Sequence, residues 1–288
     1  PSNDFTGAVS ITGSANDITI KDINAINLGA VAAAGDYSVS AGGAITDSGG
    51  QVITGAATFV TDGDLPTLTV GITGQDLTVG ETITGGTSNA TGIVESGAGA
   101  SATVTYVATS GTFAALETIT GGTSTFQKVV SAVADVTILL DHADNSFGSI
   151  GVTGNAGATI NAAGAVQLTG QTLLGNLTVT AGGAVTQTGT WDITGMTTIT
   201  AQSGGTDYDV TLGGATDDFK GAVSITGANI EITDVNSLIL GATAASGTLT
   251  VTAGGTVTQS SLAAAKNLAI TGTTTITGTD ITLDNTAN

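Results

Sequence analysis

The side chains able to do acid–base or metal chemistry are few, and they sit in short clusters. Asp207, Asp209, Asp217 and Asp218 fall close together. Asp141 and Asp144 bracket His142, the sole histidine, in LLDHADNS, and Asp284 and Asn285 stand at the corresponding place near the last residues. Two carboxylates ~5–10 Å apart are enough for glycoside hydrolysis, and a histidine beside a carboxylate can move a proton. Stacked aspartates would repel one another, and Ca2+ with its oxygen ligands would relieve that. A structural calcium at Asp207, Asp209, Asp217 and Asp218 is the one cofactor the sequence allows. The plainer reading is that aspartate is a standard turn residue. GGA and DNT replace the His142 segment elsewhere, and the nonapeptide calcium repeat GGxGxDxUx is absent.

Composition narrows the field further. The 288 residues carry 23 acids against four bases, a formal net charge of −19. The bases are Lys21, Lys128, Lys220 and Lys266; there is no arginine and no cysteine. Phosphate neutralisation needs clustered Lys or Arg, so nucleic acid is excluded as a partner. An anionic membrane surface is excluded for the same reason. Disulfide frameworks, Cys-based zinc sites and thiol catalysis are ruled out. Residues 145–191 carry no charge but are interrupted by Gly, Asn, Thr and Gln, so they do not form a membrane-spanning helix. Aromatics make up only 3 %, too few for the girdles of a membrane barrel or for a conventional globular core.

Internal repeats supply the organisation. DFTGAVSITG at residues 4–13 returns as DFKGAVSITG at 218–227 and more weakly as NSFGSIGVTG at 145–154. Phe147 and Phe219 are 72 residues apart, while Phe5 and Phe147 are 142 apart. A second motif reads GDYSVSAGGAITDSG from Gly35, GNLTVTAGGAVTQTG from Gly175 and GTLTVTAGGTVTQSS from Gly247. A third is VITGAATFV from Val52, DITGMTTIT from Asp192 and LAITGTTTIT from Leu268. The surplus length of the first unit holds a separate repeat: GETITGGTS at 80–88 recurs as LETITGGTS at 116–124. Residues 65–134, entered at Pro66, therefore read as an inserted antiparallel β domain of two related halves. Residues 1–64 form the first repeat unit, and 135–288 continue it as units two and three.

Each unit contains about nine short runs in which Val, Ile or Leu alternates with Thr or Ser, divided by Gly, Asn or Asp. That is strand and turn chemistry. The hairpin dipeptides Asn-Gly and Asp-Gly are nearly absent from the units. Small residues suit a narrow tube in which like stacks on like. The expected fold is all-β, a parallel and right-handed β-helix of about nine three-strand coils. At about 24 residues per coil and ~4.8 Å per coil, the rod would be roughly 43 Å long. Trp191 and Met196 would fill a turn or an end of the tube. The TxT runs would form hydroxyl ladders, which ordinary β propensity explains without invoking ice binding.

The SxTAGGxVTQ-like pattern and the LxITGxTTIT runs resemble the Gly/Thr-rich repeats of filamentous-haemagglutinin-type bacterial surface adhesins. The resemblance covers about three quarters of the chain. It implies secretion, a right-handed β-helix and an adhesive or filament-forming role at the cell surface. The GETITGGTS repeats are similar to small β modules of phage virion and surface proteins. Lyases built on β-helices need an Arg or Lys base beside calcium-binding acids, which scattered lysines do not provide. No catalytic residue is assigned.

An open coil end templates strand pairing. Joining ITLDNTAN to PSNDFTGAV restores the junction between units, so the expectation is either a segment of a longer array or head-to-tail self-association into a fibre. Asp4, Phe5, Val9 and Ile11 at one end, with Ile276, Ile281 and Leu283 at the other, would form that interface. Glu81, Thr84, Glu117 and Thr120 of the insertion would provide a lateral contact. The alternative is an adhesin stalk whose insertion grips a cell-surface glycan or protein.

Overall fold

A strand in which apolar and hydroxyl residues alternate can bury one face and leave hydroxyls on the other. In the computed structural model, residues 3–61, 67–70, 77–96, 103–110, 113–114, 116–124, 126–134, 137–154, 156–260 and 268–284 are described, and all regular elements among them are strands. Twenty-six strands join one sheet. Neighbours are parallel except in a small hairpin of Thr197–Ser203 with Thr206–Asp207. The sheet winds into a β-solenoid of about 12 turns.

Like stacks on like along its axis. Ile160, Val179, Ile199 and Ile225 are successive register partners, and each is at most 1 % exposed. Each such aliphatic side chain contributes ~1.5–3 kcal/mol by leaving water. Ala162, Ala181 and Ala201 form the next inward column. The inward aromatics meet edge to face: Tyr37 with Phe59, Phe59 with Phe147, and Trp191 with Phe219. Trp191 is fully buried within the stack, while Met196 is 38 % exposed.

The repeated Ala-Gly-Gly has a steric cause. The first glycine of each copy donates its N–H to the coil before it: Gly42 to Asp22 O, Gly182 to Ala162 O and Gly254 to Asp234 O. A Cβ there would lie 2.0 Å from Ile23 O, 2.2 Å from Ala163 O and 2.2 Å from Val235 O, respectively. Only glycine lets the two backbones approach this closely.

The coil is shorter than expected. Register partners fall 19 or 20 residues apart at Ile18 with Tyr37, Ala158 with Leu177, and Leu177 with Thr197. About 12 turns at ~4.8 Å give a stack of roughly 58 Å, in place of nine coils and 43 Å. The reason is that single bent strands cover what read as two runs. Ile26–Ala33 pairs with both Ile45–Asp47 and Gln51–Thr61, and Ser146–Gly154 shifts register after Phe147. A bulge at these points bends the strand without a separating turn.

The 72-residue repeat is also out of step with the coil. Leu177–Ala181 belongs to the ladder of Ala158–Ala162, Thr197–Ser203 and Val223–Gly227. Its repeat copy Leu249–Ala253 belongs to another, with Val210–Leu212, Ile230–Asp234 and Thr274–Thr277. One repeat therefore advances three turns and part of a fourth.

The stack continues across the insertion. Ile45 pairs with Ile138, and Ala57 with Ile150. Between these points, Thr67–Val70, Thr82–Gly85, Thr91–Ser96, Thr103–Ser110, Thr118–Gly121 and Gln127–Ala134 close into an antiparallel barrel. It has its own apolar core, twelve residues of it among those described.

Candidate functional site

The corner aspartates and asparagines act between coils. Asp17 Oδ1 accepts the N–H of Asp36 (3.0 Å), and Asp36 Oδ1 accepts that of Ala56 (2.9 Å). Asn176 Oδ1 accepts from Met196 N (2.8 Å). Asp209 Oδ1 accepts from Asn229 N and Nδ2, both at 3.0 Å, and Asn229 Oδ1 from Thr248 N at 3.1 Å. Each side chain satisfies a backbone donor one turn further on.

A second device repeats at the phenylalanine turns. Asp22 accepts the N–H groups of Phe5 (2.9 Å) and Asn24 (3.0 Å). Its repeat equivalent Asp234 accepts those of Phe219 (3.1 Å) and Asn236 (2.8 Å). Asn24 donates to Asp4, and Asn236 to Asp218. Buried amides close other coils. Gln51 donates to Gly29 O and Gly49 O while Asn145 accepts from Gln51 N. Gln171 donates to Ile150 O and accepts from Val152 N. Sequence reading missed Asp22, Asp234, Gln51, Asn145 and Gln171. Their available signal was a polar residue repeated within an apolar alternation.

The four calcium candidates are not brought together. Asp217 is fully buried and accepts from Trp191 N (2.9 Å) and Gln187 Nε2 (2.6 Å). Burial pushes its carboxyl above the usual range. Asp207 accepts from Gln202 in its hairpin, and hydrogen bonds from Gln202 and then Ser246 hold its carboxyl low. Asp209 serves the corner just described. Asp218 lies 3.6 Å from Lys220, which also pairs with Asp192. Among the described residues no group of three His, Cys, Asp or Glu is placed to hold a metal. Carboxylates already occupied by backbone donors and a lysine do not fit a calcium cage.

Around His142, Asp47 is the organising group. It accepts from Asp141 N (3.0 Å), His142 N (3.3 Å) and Asn145 Nδ2 (2.6 Å). Burial raises its carboxyl, with those hydrogen bonds opposing. The His142 ring accepts from Asp144 N. Asp284 is exposed just after the strand Ile281–Thr282, and Asn285 lies outside the described residues.

The fibre-interface residues fall at opposite ends of the described stack. Val9 and Ile11 pack part-buried at one end, and Ile276 and Leu283 at the other. Phe5 is 39 % exposed and Ile281 43 %. Within the stack their register neighbours Val251 and Val257 are fully buried.

The lateral-contact set is corrected in part. Thr84 and Thr120 are exposed and directly opposite each other. Glu81 and Glu117 are instead buried, 4 % and 3 % exposed. Glu81 accepts from Thr78 N, Thr123 N and Ser124 N. Glu117 accepts from Ala114 N, Thr87 N and Ser88 N. Burial opposes their ionisation, but the hydrogen bonds outweigh it and hold both carboxyls below the usual range. Each glutamate ties the turn of its own half to the Gly-Gly-Thr-Ser loop of the other, so neither faces outward.

A family model described as repeats of unknown function (DUF5649) matches residues 15–69, 153–226 and 227–288. The chain belongs to this repeat family. The described residues of the matched stretches lie in the coils, apart from residues 67–69 at the first strand of the barrel. No curated protein and no solved structure matches the chain.

Proposed function

We propose that this DUF5649-repeat chain is a non-enzymatic structural element of an extracellular fibre. Its coils extend by strand addition, onto further repeats or onto a second copy. The observation carrying this reading is the pair of coil faces just described. Both present a parallel ladder edge with apolar side chains that the next coil would bury, as Val251 and Val257 are buried inside the stack. An adhesin of the filamentous-haemagglutinin type is the finer form of this reading, supported by the Gly/Thr-rich motifs.

Ile281→Lys tests it. Ile281 is half exposed, so the coils should still fold, but a lysine would place an unpaired charge in a coil–coil contact. The wild-type chain should sediment as polymers and the variant as single rods. Equal polymerisation of both would reject end-to-end stacking.

A second reading has its own support. The barrel owns a separate core and leaves the coil ladder uninterrupted, as a side module on a stalk would. Loss of binding to a surface glycan or protein on deletion of residues 65–134, with monomeric rods retained, would favour the adhesin stalk.

A further inference from the structure

The barrel is built on an internal two-fold repeat with a constant offset of 36 residues. Thr82, Ile83 and Thr84 pair with Ile93, Gly92 and Thr91; Thr118, Ile119 and Thr120 pair with Val129, Lys128 and Gln127. Val70 with Val130 and Thr69 with Ala132 match Tyr106 with Val94 and Thr105 with Ser96, including the bulge. Thr84 opposite Thr120, and Leu68 opposite Val104, lie on the pseudo-axis.

The halves interlock. Among the described residues Thr67–Val70 pairs with no strand of its own half; its partners are Thr103–Ser110 and Gln127–Ala134, both of the other half. Glu81 and Glu117 then lock each half to the opposite loop. The core is matched large to small across the axis: Tyr106 for Val70, Phe113 for Leu77 and Phe126 for Ala90. Two copies of the second half would overfill the barrel and two copies of the first would leave a void.

We infer that this barrel is an exchange joint, in which the first half from one chain pairs with the second half from another copy of the same chain. Every strand pairing of the closed barrel can re-form between copies on exchange, while the connection between halves and the paths back to each rod change. The large-to-small matching fixes which half meets which. Such a joint would link rods side by side, independently of whether coils stack end to end.

The chain has no cysteine, which permits a direct test. Thr84 and Thr120 are exposed, and cross-strand Cα atoms ~4.5–5.5 Å apart fall in the range a disulfide spans. Full-length Thr84→Cys and Thr120→Cys proteins are mixed at high concentration, refolded together and oxidised. A disulfide-linked dimer should form in the mixture and in neither protein alone, while the double variant closes its own bond at low concentration. The inference is overturned if the mixture stays monomeric while the double variant closes. It is equally overturned if Thr84→Cys alone dimerises as well as the mixture, or if the double variant does not close.

Discussion

At the scale of single residues, the close approach of successive backbones makes some glycines irreplaceable and others indifferent. Gly182→Ala would set a methyl against the Ala163 carbonyl and should cost about 1–3 kcal/mol. Gly164→Ala meets nothing within 4 Å and should leave the melting curve nearly unchanged. Similar losses for both would remove the steric account of the Ala-Gly-Gly motif. Asp217 offers a second test. Truncation to Ala strands the Trp191 N–H and the Gln187 amide and should cost about 1–3 kcal/mol in denaturant unfolding. Asn keeps an acceptor for Trp191 but sets its NH2 against Gln187 Nε2, whose own oxygen is held by Gly214 N, so Asp217→Asn should fall between Ala and the wild type at neutral pH; a loss as large as that of Ala would contradict this role.

At the scale of elements, acid should act oppositely on coils and barrel. Asp47, Asp217 and Asp234 have carboxyls raised by burial. Their folded form prefers the proton, so coil stability rises as pH falls through the raised folded values toward the ordinary carboxylate value of ~4. Glu81 and Glu117 are lowered, so their contribution is present above the ordinary value of ~4.3 and is lost as pH falls through it to the lowered folded values. Trp191, the single tryptophan, reports on the coils, and hydrogen exchange at Ile83 and Ile119 reports on the barrel. As pH falls from neutrality toward the ordinary carboxylate value of ~4, the Trp191 transition should move to higher temperature. Below about pH 4 barrel amides should lose protection, an effect absent from a Glu81→Gln, Glu117→Gln variant, which should already be weaker at pH 7 by about 1–3 kcal/mol per site. A coil transition that falls on mild acidification, or barrel protection indifferent to both pH and the two substitutions, would count against these assignments.

At the scale of the whole molecule, strand chemistry, parallel stacking and the antiparallel insertion were legible because they follow from local pattern: alternation, scarce hairpin dipeptides and motifs that repeat in order. The coil length was not. Gly29 and Gly148 read as turn residues but lie inside bent strands. Repeat length was taken as a whole number of turns, and only tertiary pairing shows that Leu177 and its copy Leu249 occupy different ladders. The buried glutamates were hidden for a similar reason. GETITGGTS looks like an exposed loop until the other half, more than forty residues from Glu81 at Thr123 and Ser124, supplies its donors. The repetition of an acid at the same offset from Gly-Gly-Thr-Ser, in a chain with so few charges, was the signal available.

The central claim is that these coils build a fibre by continuing their own ladder, and electron microscopy of the purified chain with diffraction from aligned filaments addresses it. Filaments should form in which the ~4.8 Å strand spacing lies along the fibre axis, with one chain per roughly 58 Å of length for about 12 turns. Single rods of that length at every concentration, or filaments with the strand spacing across the axis, would contradict it.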